Sequence, residues 1–98
     1  MSSASGTATE IAPADAHERV RHGTLLIDVR DAQELLGGRA EGAVHVARCD
    51  LERRISELAS DRAQELLLIC ASGRRSQIAA TQLAELGYAH ARSVSGGF

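Results

Sequence analysis

An uninterrupted apolar run, Leu66-Leu67-Leu68-Ile69, leads directly into Cys70-Ala71-Ser72-Gly73-Arg74-Arg75-Ser76 and then into an amphipathic segment, Gln77 to Leu86. This order predicts a buried strand that delivers one cysteine to a short loop, with a helix leaving straight from that loop. Along the rest of the chain, strand-type and helix-type signals alternate, the pattern of an α/β fold built on a parallel sheet. Active sites of open parallel sheets lie at the carboxyl ends of the strands. Two segments of this chain fall there: the Cys70 loop, and Asp28-Val29-Arg30, which follows the short apolar run Leu25-Leu26-Ile27.

The remaining elements follow from local signals. Pro13 stands where a first helical turn begins, and Ala14 to Arg21 carry helix formers up to Gly23. Asp31 is expected to cap a brief helix through Leu36, halted by Gly37-Gly38. Val44-His45-Val46 reads as a small strand after the Gly42 turn, and Asp50 as the cap of a helix carrying Leu51, Ile55 and Leu58. Ser76 to Leu86 is expected to present Ile78, Ala79, Leu83 and Leu86 on one face and to end at Gly87, while Ala91 to Val94 forms one more short strand. Residues 1–10 read as a flexible leader, with Met1 to Thr9 rich in Ser, Ala, Thr and Gly, and residues 11–98 as one domain. Ser95-Gly96-Gly97-Phe98 is a loop-like ending without a closing element, so the chain is expected to be a fragment of something longer.

Composition narrows the function classes. Ninety-eight residues with 44% hydrophobic and 24% charged side chains describe one soluble domain, and 2% aromatics leave a core of Leu, Ile, Val and Ala. The net charge of −2 gives neither nucleic acid nor an anionic membrane a reason to bind. No apolar run approaches the roughly 20 residues that span a bilayer, and the N-terminus lacks a basic region followed by an apolar one. Cys49 and Cys70 are therefore expected to be reduced, in the cytoplasm. His17, His22, His45 and His90 are dispersed without ligand spacing, so neither a metal nor another cofactor is expected.

A cysteine that ends an apolar strand is ordinarily a small buried hydrophobe. Its surroundings here argue otherwise. Gly73 permits backbone geometry that other residues resist, Ser72 is small, and Arg74 and Arg75 follow directly. Such a loop turns several N–H groups toward one sulfur, and the positive end of the departing helix favours thiolate over thiol. The loop marks Cys70 as a nucleophile, with Ala71, Ser72, Gly73, Arg74, Arg75 and Ser76 as its cradle. Asp28 and Arg30 stand as candidates for the rim of the site or for a structural salt bridge. Cys49 reads as structural or incidental, with a resolving cysteine as the minority role.

Cys70-x-x-Gly73-x-Arg75-Ser76 resembles the active-site loop of the rhodanese family of sulfurtransferases. Leu26-Ile27-Asp28-Val29-Arg30, then Glu34, then Glu41-Gly42-Ala43-Val44-His45-Val46, is similar to the family's other signature, and Leu83 to Tyr88 and Gly96-Gly97-Phe98 resemble its helix exit and closing loop. The resemblance implies a five-stranded, mostly parallel sheet flanked by helices. It also implies a cysteine persulfide, formed from a sulfane-sulfur donor such as thiosulfate and discharged to cyanide or a thiol, with Cys70 the sole covalent residue. Backbone N–H groups of Ala71 to Arg75 would stabilise the persulfide, Arg75 would shape the loop and hold negative charge, and Arg74 would favour an anionic donor. Related cysteine-dependent phosphatases place an arginine after five intervening residues; here the last loop arginine follows four, and position 76 is serine, which suits a sulfur atom better than a phosphate. Gly38-Arg39-Ala40, Ala47 and Leu35 depart from the family's usual Gly-His-Ile, proline and aromatic, which bears on substrate preference more than on fold. The second reading is a sulfur-relay or interaction module of a longer fused protein, passing sulfur to a partner protein.

Overall fold

The computed structural model describes residues 9–96. In chain order the elements are strand β1 (Thr9–Ile11), helix α1 (Pro13–Arg21), β2 (Leu25–Asp28), a 3₁₀ segment (Ala32–Gly37) and β3 (Val44–His45). A 3₁₀ turn (Arg48–Asp50) then runs into α2 (Leu51–Leu58), followed by β4 (Leu66–Ile69), α3 (Arg74–Glu85) and β5 (Ala91–Val94). The strands form one five-stranded sheet in the order β1-β5-β4-β2-β3. Every pairing is parallel, so the sheet is wholly rather than mostly parallel.

The position of β4 explains its unbroken apolar run. A strand points successive side chains to opposite faces, and a central strand covered by helices on both sides needs apolar residues on both. Leu66, Leu68 and Cys70 enter one core with Leu51 and Ile55 of α2 and Ala79, Ala80 and Leu83 of α3. Leu67 and Ile69 enter a second core with Ile11, Leu26, Val94 and Ala16 of α1. Leu66, Leu67 and Leu68 expose no surface, and each such burial stabilises the fold by about 1.5–3 kcal/mol.

Several local expectations are corrected. Thr9 and Glu10 belong to a strand rather than to the leader: β1 pairs with β5 in the register Thr9↔Arg92 and Ile11↔Val94, and the Ser95 N–H extends the contact by donating to the Ile11 carbonyl (2.9 Å). Three residues on a sheet edge are too few to display a period. The rest of the expected leader, and Gly97 and Phe98 of the expected closing loop, lie outside the described residues. Asp50 is not a side-chain cap; its backbone is already helical (φ −99°, ψ −4°), and its carboxylate accepts from Arg53 instead (3.1 Å). Helix α3 starts at Arg74, two residues earlier than expected, because Gly73 serves as its N-cap. Ile78 is 48% exposed, since Ser76, Ala79, Ala80 and Leu83 hold the inward stripe at i, i+3, i+4 and i+7.

Gly87 does end the helix as its position predicts. With φ +104°, it lets its own N–H reach the Ala84 carbonyl (3.0 Å) and the Tyr88 N–H reach that of Leu83 (2.9 Å), a Schellman closure. Tyr88 then enters the core, and its hydroxyl donates to the Ala59 carbonyl (2.7 Å).

Candidate active site

Strand β4 ends by turning Cys70 into the core, where it exposes no surface, while Ala71 and Ser72 at the loop apex are exposed. The chain returns through Gly73 at φ +91°. A Cβ there would lie 3.2 Å from the Gly96 nitrogen and 3.6 Å from the Val94 carbonyl oxygen, so the left-handed turn and the closeness of β5 both require glycine. The turn brings two backbone donors onto the sulfur: Gly73 N–H at 3.1 Å and Ser76 N–H at 3.3 Å. The Ser76 hydroxyl lies 3.5 Å from the same atom.

These contacts decide the ionisation of the thiol. Burial, the largest single influence, pushes its pKa up. Hydrogen bonds from the Ser76 hydroxyl and from the backbone of Ser76, Ser72 and Gly73 together outweigh it, and Cys70 is held below the ordinary thiol value. The first turn of the twelve-residue helix α3 adds its positive end at the same place. The closest donors to Sγ are thus the backbones of Gly73 and Ser76, with the Ser72 backbone contributing; the Ser76 N–H lies one residue beyond the Ala71 to Arg75 span of N–H groups expected to stabilise the persulfide.

The loop is held from outside by a carboxylate. Arg75 donates through Nη1 and Nη2 to the two oxygens of Glu34, both at 2.7 Å. Glu34 also accepts the Asp31 N–H (3.0 Å), the back half of a capping box on the 3₁₀ segment. Arg75 therefore clamps the loop to that segment, and its charge acts on Cys70 from within the clamp. Arg74 is exposed, and its side chain has no hydrogen bond or ion pair among the described residues. Asp28 and Arg30 turn onto each other: Arg30 Nη2 and Nε donate to the Asp28 carboxylate at 2.8 and 3.0 Å, with both residues buried. Arg30 also donates to the Gly38 carbonyl (2.9 Å), and His45 Nε2 donates to the Arg30 carbonyl (2.7 Å). This buried pair anchors the end of β2 beside β4, where Asp28 is in register with Ile69.

The clamp has a defined pH range. The Arg75 guanidinium, then the Asp31 N–H, holds the Glu34 carboxyl at about 2, well below the usual carboxylate range. A depressed folded pKa gives stability that is fully present above the unfolded value, about 4.3, and lost as pH falls toward 2. Comparing the chain with its Glu34→Gln variant by urea unfolding, the stability difference is expected to be constant above about pH 5 and to shrink as the folded value is approached. A difference unchanged down to pH 2 would contradict the clamp.

Two residues of this arrangement lie outside the cradle read from the sequence. Glu34 stands three residues after Asp31, the capping-box spacing, which signals a turn but not its tie to a loop 41 residues away. Ser93, fully buried, places its hydroxyl 2.7 Å from that of Ser76. Its signal is a serine on the same strand face as buried Ala91, at the carboxyl end where such sheets carry their sites.

The sequence and the fold match those of known proteins. A family model described as rhodanese-like domain matches residues 12–98. The chain is 32% identical over 88 residues to the thiosulfate sulfurtransferase GlpE of Stutzerimonas stutzeri, covering 90% of this chain and 79% of that one. Its fold superposes on the reduced Bacillus anthracis CoADR-RHD crystal structure with a TM-score of 0.84 at 31% identity, over 93% of this chain but only 16% of that longer one. It matches the human single-domain sulfurtransferase TSTD1 with a TM-score of 0.79 at 25% identity, over 93% and 92% of the two chains.

Proposed function

Because the chain belongs to the rhodanese-like domain family, we propose that it is a sulfurtransferase that carries sulfane sulfur on Cys70. The observation that bears most weight is the pair of backbone N–H groups on Sγ at the start of α3, which favours the charged form of a buried thiol. The Cys70 thiolate attacks the outer sulfur of a donor such as thiosulfate. A new sulfur–sulfur bond forms on Cys70, the donor's own sulfur–sulfur bond breaks, and sulfite leaves with the bonding pair. The persulfide anion inherits the same donors. An acceptor such as cyanide or a thiolate then attacks the terminal sulfur, leaving as thiocyanate or as a new persulfide and returning the Cys70 thiolate. The hydrogen bonds that hold the thiol below its ordinary value favour the thiolate and so lessen the need for a general base. Exposed Arg74 at the loop gives an anionic donor a counter-charge.

Thiolate chemistry requires a reduced cysteine. Cys49 and Cys70 are both free, and no helix among the described residues is long and apolar enough to cross a membrane; both facts are compatible with the proposed cytoplasmic setting. A second reading, a relay module passing sulfur to a partner protein within a longer polypeptide, draws support from the match to 16% of a longer chain.

The test is direct. After treatment with thiosulfate, the Cys70 peptide is expected to gain the mass of one sulfur atom and to lose it on adding cyanide, with thiocyanate appearing. An unmodified Cys70 after both thiosulfate and low-molecular-weight persulfides would remove the reading. Loading without release to cyanide, but with release to a protein thiol, would favour the relay.

A further inference from the structure

Ser76 on α3 and Ser93 on β5 expose no surface, and their hydroxyl oxygens lie 2.7 Å apart. Both also reach the Gly73 carbonyl oxygen, Ser76 at 3.1 Å and Ser93 at 3.4 Å, and only Ser76 reaches Cys70 Sγ, at 3.5 Å. We propose that Ser93 is a positioning residue for the Cys70 thiolate, its hydroxyl taking over the hydrogen bond to Ser76 or the Gly73 carbonyl so that the Ser76 hydroxyl is free to donate to the sulfur. The inference rests on the reading of Cys70 as a working nucleophile and names a residue that serves it from a different strand.

A count of protons carries the argument. Each serine has one hydroxyl proton. With Cys70 protonated, the S–H donates to Ser76 Oγ, and Ser76 donates onward to Ser93 or to the Gly73 carbonyl. When Cys70 ionises and its proton leaves to solvent, the Ser76 O–H must turn to Sγ. It then abandons the partner it held: the Gly73 carbonyl keeps the Gln77 N–H (3.2 Å), but its second buried lone pair, or the Ser93 oxygen, loses a donor, which costs free energy. Ser93 removes that cost by donating in its place to Ser76 Oγ or to the Gly73 carbonyl, and a chain of hydroxyls pointing at an anion strengthens each bond along it. Without Ser93, the Ser76 proton is contested between the carbonyl and the sulfur.

The charged groups around the thiol are set apart from this exchange. Arg75 of α3 acts on Cys70 while held by Glu34, Asp31 lies within reach of that guanidinium, and Asp28 and Arg30 close on each other at the end of β2. On β5 itself, Arg92 turns to Glu65 (3.5 Å). Removing one hydroxyl at position 93 leaves every one of these charges in place.

The experiment follows the ultraviolet absorbance of the thiolate against pH in a Cys49→Ser background, where Cys70 is the remaining thiol. It uses no sulfur donor, so a failed sulfur-transfer assay and a failed titration are separate results. Ser76→Ala is expected to raise the Cys70 midpoint by about one unit, and Ser93→Ala by about half a unit to one, a roughly three- to tenfold loss of thiolate below the midpoint. Because Ser93 acts through Ser76, the double variant is expected to titrate with Ser76→Ala rather than beyond it. Ser93→Thr, which keeps the donor, is expected to hold the parent midpoint. Thermal melts of each variant register a merely structural role, which would lower stability without moving the titration. A Ser93→Ala midpoint equal to the parent's, or single shifts that add in the double variant, would overturn the proposal.

Discussion

Cys70→Ser is expected to abolish sulfur transfer, with a loss of at least about a thousandfold in kcat/KM, because it removes the atom that forms the covalent intermediate. The reason is chemical rather than steric. Serine is nearly the same size, and the Gly73 and Ser76 N–H groups that face Sγ donate equally well to an oxygen. A serine hydroxyl, however, stays protonated where a thiol ionises, and the donors near Cys70 are backbone and hydroxyl groups, with no base among the described residues hydrogen-bonded to it. The fold is therefore expected to survive while chemistry disappears, with a melting temperature within a few degrees of the parent. Cys49→Ser provides the contrast: Cys49 is exposed on the 3₁₀ turn preceding α2, and its loss is expected to leave turnover unchanged. Thiocyanate formation by the three proteins checks this, and retained turnover in Cys70→Ser would end the mechanism.

The largest loss of stability is expected from Arg30→Met. Asp28 exposes no surface, and its carboxylate accepts from the Arg30 backbone N–H (3.0 Å) as well as from the guanidinium. Removing the arginine leaves a buried negative charge without its counter-charge, which costs about 3–5 kcal/mol. A domain of this size has only about 5–15 kcal/mol of net stability. The substitution is thus expected to leave the chain marginally folded or unfolded at 37 °C. The expectation has an internal control. Asp28→Asn combined with Arg30→Met removes both charges and is expected to recover much of the loss, because the penalty lies in the unpaired ion. Urea unfolding of the single and double variants checks the order, and a double variant less stable than Arg30→Met alone would contradict it.

The part of the structure closest to the chemistry was also the most legible in sequence. Leu66 to Ile69 reads as a strand buried on both faces because nothing polar interrupts it, and Gly87 marks the end of α3 because it holds a positive φ, whereas the helix start at Gly73 falls two residues before the expected one. What escaped reading depends on contacts distant along the chain. Local spacing places Glu34 in a capping box, but its grip on Arg75 depends on β2 and β4 lying side by side. Ser93 appears in sequence as one serine in a short strand; its nearness to Ser76 arises only once β5 packs against α3. Asp50 failed as a cap for the opposite reason: a 3₁₀ turn had already begun the helix, and a neighbouring arginine claimed the carboxylate. Periodicity reports which face of an element is buried, and leaves open which element covers it.

The strand order has a consequence for how the nucleophile comes into being. The sheet is not built in the order of synthesis: β5, the last strand, inserts between β1, the first, and β4. Parallel pairing of such distant segments is slow, since chain closure must precede any gain from contact. The turn after β5 is also what crowds Gly73, through Gly96 and Val94, and β5 carries Ser93 to Ser76. A chain in which β5 has not yet docked holds Cys70 on a loop lacking one wall. The donors to its sulfur come from Gly73 and Ser76, close by in sequence, while the wall behind them comes from β5, distant along the chain. The site is thus assembled from a local turn and a non-local strand, and only the first can form before the sheet does.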